Sequence, residues 1–305
     1  MTANDDRDGM HSGQRIGFIG LGLMGGGMAM NLLKKHGQLN VYDVDEAALA
    51  RLVAAGATPL PSPHALGAVS DIVLLALPDP TISKRVALGP DGLVNGLAPG
   101  AIVVDMSTDG MEAVREIDAG LGAKGIRFVD CPVGKGPTAA AAGDIPLFSS
   151  GDIATCESLG WLLAMIGSKT YYCGPLGAGQ AIKLANNLLS CGYAALISEA
   201  YAMAKKAGAD LDILCEVLPQ TAANSWPLSN VFVPKAFKGD FSPYFRLSAA
   251  HKDYKLIVAM AHALGSPSRA AEVVLEYYDR AAAAGHGDRD FGALALVNNP
   301  ELLFG

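Results

Sequence analysis

Charge is scarce in this chain. Only 17% of the residues are charged, the 23 lysines and arginines are scattered, and the net charge is −7. Without a basic stripe, nucleic acid and acidic membrane surfaces are not expected as partners, so any anionic ligand must be held by local positive groups. Long apolar runs are missing as well. Stretches such as "IVLLALP" fall far short of a bilayer span, so no membrane association is expected and a cytoplasmic location is. Cysteine is sparse: Cys131, Cys156, Cys173, Cys191 and Cys215 are odd in number and have no CxxC spacing, so neither a disulfide framework nor a metal site is signalled. Residues 1–14, "MTANDDRDGMHSGQ", lack the apolar core of a signal peptide and are expected to be a disordered tail.

Hydrophobic residues, by contrast, make up half the chain, and glycine occurs 36 times. That composition belongs to a folded protein with tight turns, and 305 residues suggest two domains. From Arg15 to about Tyr172, short apolar runs alternate with amphipathic stretches: "RIGFIG", "LNVYD", "DIVLLALP", "AIVVDMS", "IRFVD", "IPLFSS" and "KTYYC". This alternation predicts an α/β fold, a doubly wound parallel sheet covered on both faces. Ser62 before Pro63 reads as a helix cap, and Ser107, Thr108 or Asp109 as another. Beyond Gly179 a proline-free, alanine- and leucine-rich run predicts one helix over 180–207, roughly 40 Å long at 1.5 Å per residue. The remainder reads helical. The expected organisation is therefore a dinucleotide-binding domain over 15–176 and an all-helical domain over 177–305, joined by a long interdomain helix.

The string Gly20-Leu21-Gly22-Leu23-Met24-Gly25 follows the first apolar run and opens a helical one. A GxGxxG alone is a weak signal, but here a strand precedes it, a helix follows it, and Asp43 ends the second strand 23 positions past Gly20. The glycines permit a tight turn and close approach of backbone to a pyrophosphate, which meets the free N–H groups at the helix start. A carboxylate at Asp43 accepts from ribose hydroxyls and repels a 2′-phosphate, so NAD is expected over NADP, and both over FAD.

Further on, "GAGQAIKLANN" sets Lys183 and Asn187 at i and i+4, with Asn186 between, on one face of the long helix. If that face lines the cleft between the domains, an ammonium and a carboxamide meet the nicotinamide. An alcohol must lose a proton as hydride leaves it, which needs a positioned acid/base. Lysine serves when burial or a neighbouring cation lowers its pKa. A different loop, "DCPVGKGP", carries a single cation, Lys135, between two glycines and two prolines that exclude regular structure.

Together these segments resemble the β-hydroxyacid dehydrogenase family (3-hydroxyisobutyrate dehydrogenase-like) nearly end to end. The likeness is carried by "GFIGLGLMGGGMAMNL", "LP" at Leu77 and Pro78, "DMST" at Asp105 to Thr108, "DCPVGKG", "GAGQAIKLANN" and "HKD" at His251 to Asp253. It implies Lys183 as catalytic acid/base with Asn187 as its orienting partner. It also implies Leu77, Pro78, Thr108 and Lys252 near the cofactor, and Val133, Gly134, Lys135 and Gly136 around the substrate's acidic group. A helical second domain mediating a homodimer or homotetramer is implied too. Most relatives have Ser-Gly-Gly where this chain has Gly134-Lys135-Gly136, and this substrate loop is most similar to that of the sulfolactaldehyde reductase branch. Asn224 and Ser225 in "NSWPLSN" would then complete the anion pocket. The expected activity is hydride transfer between NAD(H) and a small 3-hydroxy acid or its semialdehyde. The alternatives are a cofactor-binding sensor without turnover and an imine reductase. His251 is the rival to Lys183 by residue type, and reads better as a cap or interface histidine.

Overall fold

The computed structural model describes residues 13–303. The tail expected over 1–14 lies, as far as residue 12, outside the described residues. Two compact units divide the chain, one ending at Lys183 and the other beginning at Leu184.

The first unit is built on a six-stranded parallel sheet of order β3-β2-β1-β4-β5-β6. Its strands are β1 (Ile16–Ile19), β2 (Asn40–Tyr42), β3 (Thr58–Pro59), β4 (Ile72–Leu75), β5 (Ile102–Asp105) and β6 (Arg127–Asp130). Because side chains alternate across a strand, the central strands β1, β4 and β5 each feed two cores. Phe18, Leu74 and Val104 enter one hydrophobic cluster with Met28 and Leu32, while Val73, Leu75 and Val103 enter another with Val114 and Ile117. Burial on both faces explains why these strands read as continuous apolar runs. It also makes truncation costly, about 2–5 kcal/mol for a Leu74→Ala change.

Two details depart from the sequence reading. β3 was not foreseen, since two residues carry no periodicity and one of them is Pro59. "IPLFSS" and "KTYYC" do not extend the main sheet: β7 (Pro146–Ser149) and β8 (Lys169–Tyr172) pair with each other as a separate parallel pair. Antiparallel bridges Asp130↔Ser150 and Val133↔Leu147 attach β7 to the chain leaving β6.

The helices that bear on the site are α1 (Leu23–His36), α2 (Glu46–Ala54), α3 (Gly110–Gly122), α4 (Pro137–Ala142), α5 (Ala178–Lys206), α6 (Leu247–Ala263) and α7 (Arg269–Ala283). α1 ends where Gly37 turns left-handed at φ 85° and returns its N–H to Leu33 O. Ser62 caps its helix through Ala65 N, as expected. The start of α3 is capped differently. Asp109 makes no side-chain cap there, and the N–H groups of Asp109 and Gly110 donate to Oε1 of Gln180, both at 3.0 Å.

The second unit is helical. Its core closes around Tyr254 and Tyr278, both fully buried and stacked 5.1 Å apart. Each hydroxyl is satisfied by a carbonyl of α5: Tyr254 donates to Leu188 O at 2.6 Å, and Tyr278 to Cys191 O at 3.0 Å. Among the described residues no helix is long and apolar enough to cross a membrane.

Candidate active site

The glycine loop lies at the C-terminal end of β1, beside β4, which is where the strand order reverses and open α/β sheets bind their ligands. Gly20 takes φ +92°, and a Cβ on it would sit 2.3 Å from Ala76 O, so the loop presses against the segment that leads to Leu77 and Pro78. A Cβ on Gly25 would meet Gly20 O at 1.9 Å, which is how closely α1 folds onto the turn. Gly22 has nothing within 4 Å of a Cβ and gives α1 no side-chain cap. Open space therefore lies in front of first-turn N–H groups that a helix leaves without intrahelical partners. This cradle fits a pyrophosphate.

Asp43 stands at the end of β2. Its carboxylate accepts from Leu21 N and from Asp45 N, the latter at 2.7 Å. Both bonds aim it at the glycine loop, and each oxygen retains a second lone pair for a ribose hydroxyl. Arg51 of α2, which the sequence reading overlooked, reaches Leu21 O with Nη2 at 3.4 Å. Leu77 N donates to Ser107 Oγ at 2.9 Å, joining the loops after β4 and β5, and Thr108 follows, half-buried. Gly20 to Gly25, Asp43, Leu77, Pro78 and Thr108 thus share one edge of the sheet.

The loop after β6 is pinned rather than free. Val133 bridges Leu147, Gly134 N donates to Pro146 O at 2.9 Å, and Gly136 leads into α4. α4 is tied to α1 by Asn31 Nδ2, which donates to Ala140 O at 2.8 Å. Lys135 is exposed at φ +60°, the only non-glycine residue with positive φ among those described. Its ammonium contacts Asp144 Oδ2 at 2.6 Å and holds that carboxyl below the usual carboxylate range.

α5 begins against this same edge. Gln180 N and Nε2 donate to the two oxygens of Asp130 at 3.1 and 2.7 Å, and Ser150 Oγ donates to Asp130 at 2.8 Å. Asp130 is buried at the end of β6; desolvation pushes its pKa up to about 7, although these hydrogen bonds oppose the shift. Lys183 follows, half-buried, one turn along the helix.

In the second unit, Asn187 is buried and donates from Nδ2 to Asp253 Oδ2 at 2.6 Å, while accepting from Asn186 at 2.9 Å. Lys252 lies 3.1 Å from the other oxygen of Asp253. Asn187 and Lys252 are thereby brought to one carboxylate, which the "HKD" string contained but to which no role was attached. Asn224 accepts from Ser229 Oγ at 2.6 Å, and Ser225 Oγ accepts from Leu228 N at 3.4 Å, so this loop is braced internally. His251 pairs with Asp279 at 2.7 Å and stacks on Tyr278.

A parallel sheet of this order, with the glycine cradle at its reversal point and an acidic residue ending β2, defines a dinucleotide-binding oxidoreductase, and its cofactor is NAD. Family models agree: residues 15–174 match the NAD binding domain of 6-phosphogluconate dehydrogenase, and residues 177–297 match the NAD-binding domain of NADP-dependent 3-hydroxyisobutyrate dehydrogenase. The chain is 34% identical to 3-sulfolactaldehyde reductase of Escherichia coli over 92% of its own length and 94% of that protein's. It is 32% identical to 2-(hydroxymethyl)glutarate dehydrogenase of Eubacterium barkeri, covering 94% and 96%. A solved 3-hydroxyisobutyrate dehydrogenase from Salmonella typhimurium superposes with a TM-score of 0.84 at 30% identity, covering 93% and 99%. The chain belongs to the β-hydroxyacid dehydrogenase family.

Proposed function

We propose that this protein transfers a hydride between NAD(H) and a small 3-hydroxy acid or its semialdehyde, with Lys183 as acid/base, Asn187 as orienting partner and Lys135 holding the substrate's anionic group. The observation that carries this reading is the seat of α5. Gln180 fastens the first turn of that helix to the loop after β5 and to the end of β6, at the same sheet edge as the glycine cradle. Lys183 is on the next turn.

When bound, the nicotinamide exchanges a hydride with the carbon that bears the substrate oxygen. In the reducing direction, the Lys183 ammonium gives its proton to the oxygen as negative charge builds there; in oxidation the amine takes the proton back. Asn187 is held in one orientation by Asp253 and Asn186, as an amide that must direct an oxygen has to be. Lys135 suits a strongly ionised acid group such as a sulfonate as well as a carboxylate.

Assembly as a homodimer or homotetramer is part of the same reading. Leu189, Leu196 and Met203 recur every seven residues on α5 and are 59%, 63% and 70% exposed, an apolar stripe of the kind that pairs helices. Light scattering on the purified protein reads this out, and a monomer at all concentrations would refute it.

The main test is a steady-state screen of 3-hydroxyisobutyrate, L-serine, L-threonate and three-carbon sulfonates with NAD+ and NADP+, repeated on Lys183→Ala. Lys183→Ala is expected to bind NADH normally and to lose on the order of 10²–10⁴-fold in kcat. A small loss would remove Lys183 from the chemistry.

A further inference from the structure

We infer that Gln180 is a positioning residue that sets where Lys183 stands relative to the cofactor and substrate loops. The inference rests on Lys183 being the acid/base, and it assigns the means by which that lysine is held.

Gln180 is fully buried, and its carboxamide is saturated. Oε1 accepts from Asp109 N and Gly110 N at 3.0 Å each, while Nε2 donates to Ser107 O at 3.1 Å and to Asp130 Oδ1 at 2.7 Å. Two lone pairs and two N–H groups are the whole capacity of a primary amide, so every one is used. Its backbone N–H adds a fifth bond, to Asp130 Oδ2 at 3.1 Å.

No other side chain substitutes. Glutamate accepts from the Asp109 and Gly110 N–H groups but has no donor for Ser107 O or Asp130. Asparagine is one carbon short. Alanine leaves four buried groups without partners, and orphaned buried groups are expensive.

The partners give the amide a role beyond stability. Ser107 to Gly110 is the segment that carries Thr108, and Asp130 is the root of the loop that carries Val133 to Gly136. One side chain therefore joins the cofactor-side loop, the substrate-side loop and the start of the catalytic helix. The seat is tight on its other sides as well. A Cβ on Gly179 would lie 2.4 Å from Phe148 O and 2.9 Å from Asp130 Oδ2, and Gly179 N donates to Ser150 Oγ at 3.0 Å. Lys183 lies three residues on, about 4.5 Å along the axis, so a shift of this first turn carries its amine with it. Misplacement by about 1 Å can cost a hundredfold in rate.

The test compares Gln180→Ala, Ser150→Ala and Lys183→Ala with the parent protein. kcat for 3-hydroxyisobutyrate with NAD+ is measured across pH, NADH affinity is measured by fluorescence, and the amine of Lys183 is titrated without substrate. For the last, trace acetic anhydride labels the lysines, and peptide mass spectrometry follows Lys183 against Lys206 as an internal reference. Gln180→Ala is expected to bind NADH as the parent does and to lose about a hundredfold in kcat, with the labelling profile of Lys183 displaced in pH and that of Lys206 unmoved. Ser150→Ala removes the hydroxyl that donates to Asp130 and accepts from Gly179 N but leaves the carboxamide, so its loss is roughly 30-fold, as for two ordinary hydrogen bonds, with a smaller displacement of the same profile. A purely structural role would lower the melting temperature and leave the Lys183 profile where it is, which would overturn the inference. If Gln180→Ala fails to fold, Ser150→Ala decides by the same criteria. Near-normal kcat in Lys183→Ala would refute the acid/base reading itself. An inactive Lys183→Ala beside unchanged profiles in the other two would refute the Gln180 inference alone.

Discussion

The ammonium of Lys135 contacts the carboxylate of Asp144 at 2.6 Å, from a backbone held at φ +60°. Neither side chain is sheltered: they are 49% and 60% exposed, so water screens the pair and it is easily exchanged. On the proposed reading, a substrate anion held at Lys135 would take the place of Asp144. Lys135→Ala should therefore raise KM for the anionic substrate by roughly 10- to 100-fold and leave the KM for NAD+ alone. Asp144→Asn should lower KM by a few fold. The left-handed backbone sharpens the test, because strain of this kind costs on the order of 1 kcal/mol. Lys135→Gly should unfold at higher denaturant than the parent while binding the substrate as poorly as Lys135→Ala. Equal KM in all four proteins would take Lys135 out of the substrate site.

Gly22 and Gly25, three residues apart in the motif, have opposite reasons for lacking a side chain. A Cβ at Gly25 would collide with backbone, Gly20 O at 1.9 Å, whereas one at Gly22 would meet nothing within 4 Å. Gly25→Ala is therefore expected to cost about 1–3 kcal/mol by overpacking. Gly22→Ala is expected to leave the melting temperature nearly unchanged and to weaken NADH binding, since its methyl group occupies the space left for the phosphates. Thermal melts with and without NADH separate the two. Equal destabilisation in both variants would mean that Gly22 packs rather than binds.

Asp43 orients itself on Leu21 N and Asp45 N, and the Arg51 guanidinium lies at Leu21 O. Neutralising the carboxylate removes the repulsion of a 2′-phosphate and leaves a cation at the same loop. Asp43→Asn should shift the ratio of kcat/KM for NAD+ over NADP+ by roughly 10- to 100-fold toward NADP+, equivalent to about 1.4–3 kcal/mol. Adding Arg51→Ala should cancel the gain for NADP+. A ratio that stays put would mean that selection resides elsewhere.

How much of this was legible beforehand depends on whether the signal was local. The glycine cradle, Asp43 and the cap by Ser62 obey short-range rules, and a strand such as Ile72–Leu75 announces itself by being apolar on both faces. β3 escaped notice because Thr58–Pro59 has neither length nor period. The separate β7–β8 pair escaped it because strand runs do not reveal their neighbours. Gln180 stood in a quoted motif three residues before Lys183, yet its partners are 50 to 73 residues away, and nothing in an amide's spacing foretells such bonds. Asp253 was hidden in the same way: only the fold brings it to Asn187. Lys135 was readable as a loop cation, but its ion pair with Asp144 was not.

Asp130 ties the stability of the first unit to pH, with a sign opposite to that of a surface carboxylate. Burial is the largest influence on it and raises its pKa from 3.8 to about 7, with Asp105 adding to the rise and the bonds from Gln180 and Ser150 opposing it. The folded state thus holds a proton that the unfolded chain releases at lower pH. The stabilisation is fully present below about pH 4 and is lost as pH climbs to about 7, beyond which this group changes nothing. Between those limits the loss is on the order of 4 kcal/mol. Denaturant titrations at a series of pH values should show the parent protein losing stability across this window. Asp130→Asn cannot titrate, so it should lose that slope. It should also be less stable at every pH, because its NH2 group must face either Gln180 Nε2 or the donors Ser150 Oγ and Gln180 N. Pairing it with Gln180→Glu restores an acceptor opposite that NH2 group and should recover part of the loss, leaving Ser107 O as the one partner still without a donor. A parent protein whose stability rises from pH 4 to 7 by the amount that Asp130→Asn does would mean that Asp130 is ionised throughout, with its hydrogen bonds outweighing its burial.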